Sequence, residues 1–227
     1  MPSHYLDNLP EVDVAVMLAH PGDAEFYCGG AIAALTAAGK RVAILDLTAG
    51  EAGTMGRKDI KLDEADEAAR ILGVTWRGQM GMPDARMEDT IMSRMTVTGE
   101  IKRLRPQTVV AIHAEHRHPD SVAASLLVEN AAYLAGLNRL DNYLEAHKVS
   151  RVVFAGLPLT VKPAFVVDIT AYYEQKRAAL GVYTTLFADA AVALEQMDRE
   201  ARLYGEMIGV RYGEAFGQRG PLVGTLI

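Results

Sequence analysis

The sequence predicts an α/β protein: a single domain, Rossmann-like, with a mostly parallel sheet covered by helices on both faces. Three observations carry this. Short apolar runs alternate with segments of helical spacing along the chain. The strongest runs are mainly apolar, without strict alternation, as strands buried on both faces are. No low-complexity linker and no internal repeat divides the 227 residues, so one domain is expected over 1–227.

The elements follow in order. Val12 to Leu18 is rich in β-branched residues and ends at Ala19-His20-Pro21-Gly22, a strand running into a turn. Asp23 is placed to cap a helix over 24–38, closed by Gly39. Arg41 to Thr48 reads as a second strand, and the Gly-rich 49–56 as a loop. Leu62 to Leu72 has helical spacing stopped by Gly73, and Val74 to Met80 reads as a third strand. Ile91 to Leu104 is helical, with Pro106 just beyond it. Thr108 to His113 is a fourth strand, followed by an Ala-rich helix over 121–137 capped by Asp120 or Ser121. Strands over 151–157 and 165–169 and helices over 172–180 and 189–208 complete the pattern. The tail after Gly209 reads as irregular.

Composition narrows the function. The net charge is -6, and no run of Lys and Arg stands out, which argues against nucleic acid as a partner. Cys28 is the only cysteine, so no disulfide framework forms and a cytoplasmic setting is expected. No apolar stretch reaches the roughly 18 residues of a membrane span.

In sheets of this kind ligands bind beyond the carboxyl ends of the strands. Polar clusters follow the first, second and fourth predicted strands and converge there if the sheet is parallel. The first holds His20, Asp23 and Glu25. His20 and Asp23 suit a zinc ion, or serve only as a local hydrogen-bonding group and a helix cap. The second runs His113, Glu115, His116, Arg117, His118, Asp120, with three of the six histidines within six positions. Imidazole there is a metal ligand or a general acid or base, and the alternative is a solvated polar loop. The third, Gly50 to Arg57, lacks the spacing of a nucleotide-binding loop. Arg57 is either a partner for an anionic substrate group or an ordinary surface arginine. Cys28 beside Gly29-Gly30 reads as a buried, inert thiol at a close packing contact.

Together these residues resemble a known family. Ala19-His20-Pro21-Gly22-Asp23-Ala24-Glu25 with Gly29-Gly30 is similar to the AHPDDxE opening motif of LmbE-like (PIG-L) N-deacetylases. Leu47 to Glu51 with Gly53-Thr54 and Gly56, Ala68-Ala69-Arg70 to Gly73, Pro83-Asp84 and Tyr212 to Phe216 continue the likeness. Arg117-His118-Pro119-Asp120 resembles the start of the family's HPDH motif. The branch most similar is the bacillithiol-pathway deacetylases, which act on N-acetylglucosaminyl malate.

The resemblance implies a zinc ion held by the positions of His20, Asp23 and Ser121, and a general base at the position of Gly22. It implies that His118 stabilises the tetrahedral intermediate and protonates the leaving amine, with Asp120 orienting it. Two of these positions depart from the family: glycine has no group to take a proton, and a serine hydroxyl is a poor zinc ligand beside imidazole. Met55 also stands where the bacillithiol branch often has arginine.

Two functions follow as expectations. One is a zinc-dependent deacetylase of an N-acetyl amino-sugar, impaired or rearranged, in which His20, Asp23 and His116 (or His113) hold the metal. Water or Glu25 would then relay the proton, His118 and Asp120 would be catalytic, and Glu51, Arg57 and Arg117 would contact substrate. The other is an inactive relative that binds a sugar-like ligand or partners an active homologue. Family members often form homo-oligomers.

Overall fold

In a computed structural model, residues 10–53, 58–140, 144–184 and 190–220 are described. The chain runs β1 (Val14–Leu18), α1 (Asp23–Ala37), β2 (Val42–Thr48), α2 (Lys58–Leu72), β3 (Trp76–Met82), α3 (Ile91–Leu104) and β4 (Thr108–Ile112). It continues through α4 (Pro119–Ala135), β5 (Arg151–Ala155), β6 (Phe165–Asp168), a 3-10 turn (Thr170–Tyr172), α5 (Tyr173–Gly181), α6 (Ala190–Ile208) and β7 (Gly213–Phe216).

Five strands form a wholly parallel sheet in the order β3-β2-β1-β4-β5. β1 is central: Val14 lies opposite Val42 on one side and Thr108 on the other. Every residue of β1 and β2 is buried, which is why these runs are apolar without alternation. Each fully buried Val, Leu or Ile there stabilises the fold by about 1.5–3 kcal/mol. Asp46 and Thr48 of β2 are the exceptions, and the Asp46 carboxylate pairs with both Nε (2.8 Å) and Nη2 (3.0 Å) of Arg77.

From β1 the chain moves outward to β2 and β3, then crosses back through α3 to β4 on the far side of β1. The loops leaving β1 and β4 diverge, and a crevice opens beyond their carboxyl ends. This topology brings His20, just after β1, to His118, just after β4.

Four expectations need correction. The tail after Gly209 is not irregular throughout: Gly213–Phe216 forms β7, antiparallel to β6, with Phe165 opposite and stacked on Phe216. A Gly-Glu-Ala-Phe stretch has no strand pattern of its own, and only its distant partner orders it. β6 belongs to this separate two-stranded sheet. The cap of α4 is neither Asp120 nor Ser121 but His118, whose Nδ1 accepts the Asp120 N–H. Proline at the first helical position explains this, because it holds the preceding residue extended. The cap of α1 is Gly22, at φ 92°, and Asp23 is the first helical residue.

α1 is itself broken at Cys28, where φ is -144°. The amides of Gly30 and Ala31, at the start of its second half, donate to the Glu214 carboxylate of β7 at 2.8 and 2.7 Å. Lys176 of α5 neutralises that carboxylate at 2.6 Å. A Cβ on Gly30 would fall 2.7 Å from Ile169, so glycine is needed for this approach. No helix among the described residues is long and apolar enough to cross a membrane.

Candidate metal and catalytic site

His20 sits at the end of β1 with carboxylates around its ring. Asp23 Oδ2 lies 3.4 Å from Nδ1 and also accepts the His20 backbone N–H at 3.0 Å. Asp84 Oδ1 and Asp120 Oδ2 lie 3.1 and 3.3 Å from Nε2. Burial opposes charge on the ring, but Asp23, then Asp84 and Asp120, outweigh it and raise its pKa to about 9.

Each carboxylate is fixed by backbone. Asp120 is buried in the first turn of α4, with Oδ2 accepting the Ala85 N–H (2.6 Å) and Oδ1 that of Met87 (3.1 Å). Burial works against its ionisation, but those amides and the His20 ring hold its carboxyl below the ordinary value. Ala85 adopts φ 63° in this turn, a conformation that costs a non-glycine residue roughly 1–2 kcal/mol and that turns its amide to the site. Asp84 follows β3 and accepts the Ala52 N–H at 2.9 Å, which ties the loop after β2 to the site.

His118 completes the cluster, its ring 4.7 Å from that of His20 and edge-on. His20, His118 and Asp120 each bring a ligand-capable atom within 4.8 Å of the others. A zinc-type ion with bonds of about 2.0–2.2 Å needs donor atoms about 3.3 Å apart. The Asp84 and Asp120 oxygens, 3.1 and 3.3 Å from His20 Nε2, match that requirement, whereas Asp23, expected as a ligand, lies 3.4 Å from the other ring nitrogen, Nδ1, which cannot face the same ion. Imidazole with several carboxylates is a nitrogen–oxygen donor set suited to a divalent cation, whose charge the carboxylates demand.

A cavity of about 690 Å³ opens at this cluster, lined by His20, Gly22, Asp23, Tyr27, Lys61 and His118 among others. A second, of about 610 Å³, adjoins it and shares Tyr27, His118 and Gln196.

The remaining expected residues are placed as follows. His116 does not join the cluster around His20, and its Nε2 is hydrogen-bonded to the Tyr27 hydroxyl at 2.9 Å. His113 lines a different cavity, against Phe154, and is not positioned to supply a third ligand at His20. Glu25 is buried and paired with Arg77, so it cannot relay a proton in the crevice. Glu51 uses its carboxylate on the backbone N–H groups of Asp84 (2.9 Å) and Ala49 (3.2 Å). Arg117 lines the second cavity. Arg57 and Met55 lie outside the described residues. Ser121 is buried in the first turn of α4, and Asp120 orients His118 through its backbone N–H rather than its carboxylate.

Three contributors were not singled out as site residues from the sequence. Asp84 had a signal, an acid just beyond the third strand, at the same sheet edge as His20. Lys61 is buried at the cavity wall, where its ammonium donates to the Gly50 carbonyl. Tyr27 lies four residues after Asp23, one helical turn along the same face.

Residues 15–132 match the family model described as PIG-L, GlcNAc-PI de-N-acetylase. YaiS of Escherichia coli K12, described as an uncharacterized deacetylase, is 31% identical over 116 residues. The match covers 46% of this chain and 60% of that relative. Among solved structures, the conserved protein TT1542 from Thermus thermophilus is 36% identical with a TM-score of 0.91, over 95% of this chain and 98% of that one. The N,N'-diacetylchitobiose deacetylase from Pyrococcus horikoshii, solved with its inhibitor MPG, is 27% identical with a TM-score of 0.82. That likeness covers 90% of this chain and 83% of the deacetylase.

Proposed function

Because the chain belongs to the GlcNAc-PI de-N-acetylase (PIG-L) family, we propose that it hydrolyses the N-acetyl group of an amino-sugar of the N-acetylglucosamine type, with zinc as its metal. The observation that carries this reading is the cluster at the sheet edge, where three fixed carboxylates and two imidazoles meet an open cavity.

His20, through Nε2, with Asp84 and Asp120 would hold the ion. When bound there, it supplies Lewis-acid polarisation of the amide carbonyl and lowers the pKa of water. The His118 Nδ1 accepts the Asp120 N–H, so in the neutral ring Nε2 carries the proton. His118 therefore donates a hydrogen bond to the oxygen that gains charge as water adds to the carbonyl carbon, and the carboxylate that takes the water's proton delivers it to the amine nitrogen as the C–N bond breaks. Acetate and the free amine are the products. Gly22 offers no base, and the water must lose its proton to one of the neighbouring carboxylates, of which Asp23 lines the cavity. Activity below that of relatives with a carboxylate at that position follows, by about 10²–10⁴-fold.

The finer reading is a bacillithiol-type substrate, N-acetylglucosaminyl malate. The motif resemblance supports it, and so does the buried Lys61 ammonium on the cavity wall, which suits a carboxylate-bearing ligand. A cytoplasmic setting and a homo-oligomer are part of the same proposal. The alternative, a non-catalytic sugar-binding relative, is favoured by Gly22 alone: its φ of 92° suits glycine, and the position holds no side chain.

The test is acetate release from N-acetylglucosamine glycosides, including the malate glycoside, with and without added zinc. Zinc-dependent release that is lost in His20→Ala supports the enzyme. Glycoside binding without any release supports the alternative.

A further inference from the structure

The Tyr27–His116 contact has a direction. His116 Nδ1 accepts the backbone N–H of His118 at 3.2 Å, so the neutral ring carries its proton on Nε2. Nε2 then donates to the Tyr27 oxygen across their 2.9 Å contact. The Tyr27 oxygen being so occupied, its own proton must point elsewhere. Burial lowers the His116 pKa, consistent with a neutral ring.

The phenol is also held in place. His116 meets its ring edge-on at 5.8 Å, and Phe26 does the same at 4.9 Å. Gly156, at φ 68°, lies beneath it, where a Cβ would come within 3.3 Å of the Tyr27 ring. Tyr27 lines both large cavities, at the junction they share with His118.

We propose that Tyr27 is a catalytic residue: its hydroxyl, aimed by His116, donates a hydrogen bond to the acyl oxygen of the substrate. Its placement rests on the deacetylase reading, because it presumes an acyl group at His118. A rigid donor costs no reorganisation when charge develops on that oxygen, and His118 and Tyr27, which both line the two cavities, would supply two such donors. His116 acts through Tyr27 and is a positioning residue.

The test pairs Tyr27→Phe, which keeps the packed ring, with His116→Phe, which keeps the hydroxyl but removes its partner. Two readouts are used: acetate release from N-acetylglucosamine glycosides, and the affinity for acetate itself, followed by NMR on the zinc-supplemented protein. Tyr27→Phe is expected to lower kcat by about 10²-fold with little change in KM, and to weaken acetate binding about tenfold. His116→Phe is expected to shift both in the same direction by less, and it carries the test if Tyr27→Phe does not fold. Unchanged acetate affinity in the variants, or no acetate binding by the unmodified protein, overturns the role of Tyr27. Tyr27-dependent acetate binding with no acetate release from any glycoside instead overturns the deacetylase reading and leaves the acyl-oxygen contact standing.

Discussion

Asp120 Oδ2 lies 3.3 Å from His20 Nε2, across 100 residues of sequence. The parallel order around β1 creates that contact, since the carboxyl ends of β1 and β4 are neighbours. The amides of Ala85 and Met87 hold the carboxylate there. His118, one position before Pro119, is aligned by the same helix start.

The two jobs of His118 can be separated. As a cap it stabilises α4, and as an imidazole it donates to substrate. His118→Asn keeps a capping oxygen, so thermal unfolding should change little, whereas His118→Ala should cost about 1 kcal/mol. Both variants should lose acetate release by about 10²–10⁴-fold while still taking up zinc. Loss of zinc from His118→Asn would make His118 a ligand instead of a donor.

Gly22→Asp has opposed effects. At φ 92° a side chain is strained, so the variant should be less stable by roughly 1 kcal/mol or more. Combined with Ser121→His, it should nevertheless raise zinc-dependent acetate release by about 10²-fold or more. Kinetics of the double variant no faster than those of the unmodified chain would contradict the match of Gly22 and Ser121 to the family's base and ligand.

Much of this fold was legible from local pattern. α3 spans Ile91–Leu104 as expected, because a capping Thr90 and a following Pro106 bound it. β1 and β2 were readable because burial on both faces leaves mainly apolar runs, broken in β2 only by Asp46 and Thr48. β7 was not, since its order comes from β6 and from Glu214 reaching α1. In the site, His20, Asp23, His118 and Asp120 were visible as polar residues at strand ends. The roles of Glu51, Glu25 and His116 were not, because each is decided by a partner distant in sequence: Asp84, Arg77 and Tyr27.

The Glu214 carboxylate joins three elements, so its loss should be felt in stability. Glu214→Gln leaves Lys176 buried without its counter-charge and weakens the cap of the second half of α1. Denaturant unfolding should show a loss of about 3–5 kcal/mol. A change below about 1 kcal/mol would mean that the ion pair and cap are dispensable.

Burial pushes the Asp46 carboxyl up from its ordinary 3.8 to about 6, against the pull of Arg77. A raised carboxyl pKa favours the folded state at low pH, and that contribution is lost as pH rises through about 6. Asp46→Asn should remove this part of the stability profile between about pH 4 and 6. An identical pH slope for both proteins in that window would show that Asp46 ionises normally.

The proposed chemistry depends on the carboxylates around His20 holding a divalent ion. Zinc stoichiometry after incubation and dialysis, by elemental analysis of untagged protein, tests it most directly. About one zinc per chain is expected, with near-complete loss in both His20→Ala and Asp120→Ala. No zinc in the unmodified protein, or equal zinc in all three, would contradict it.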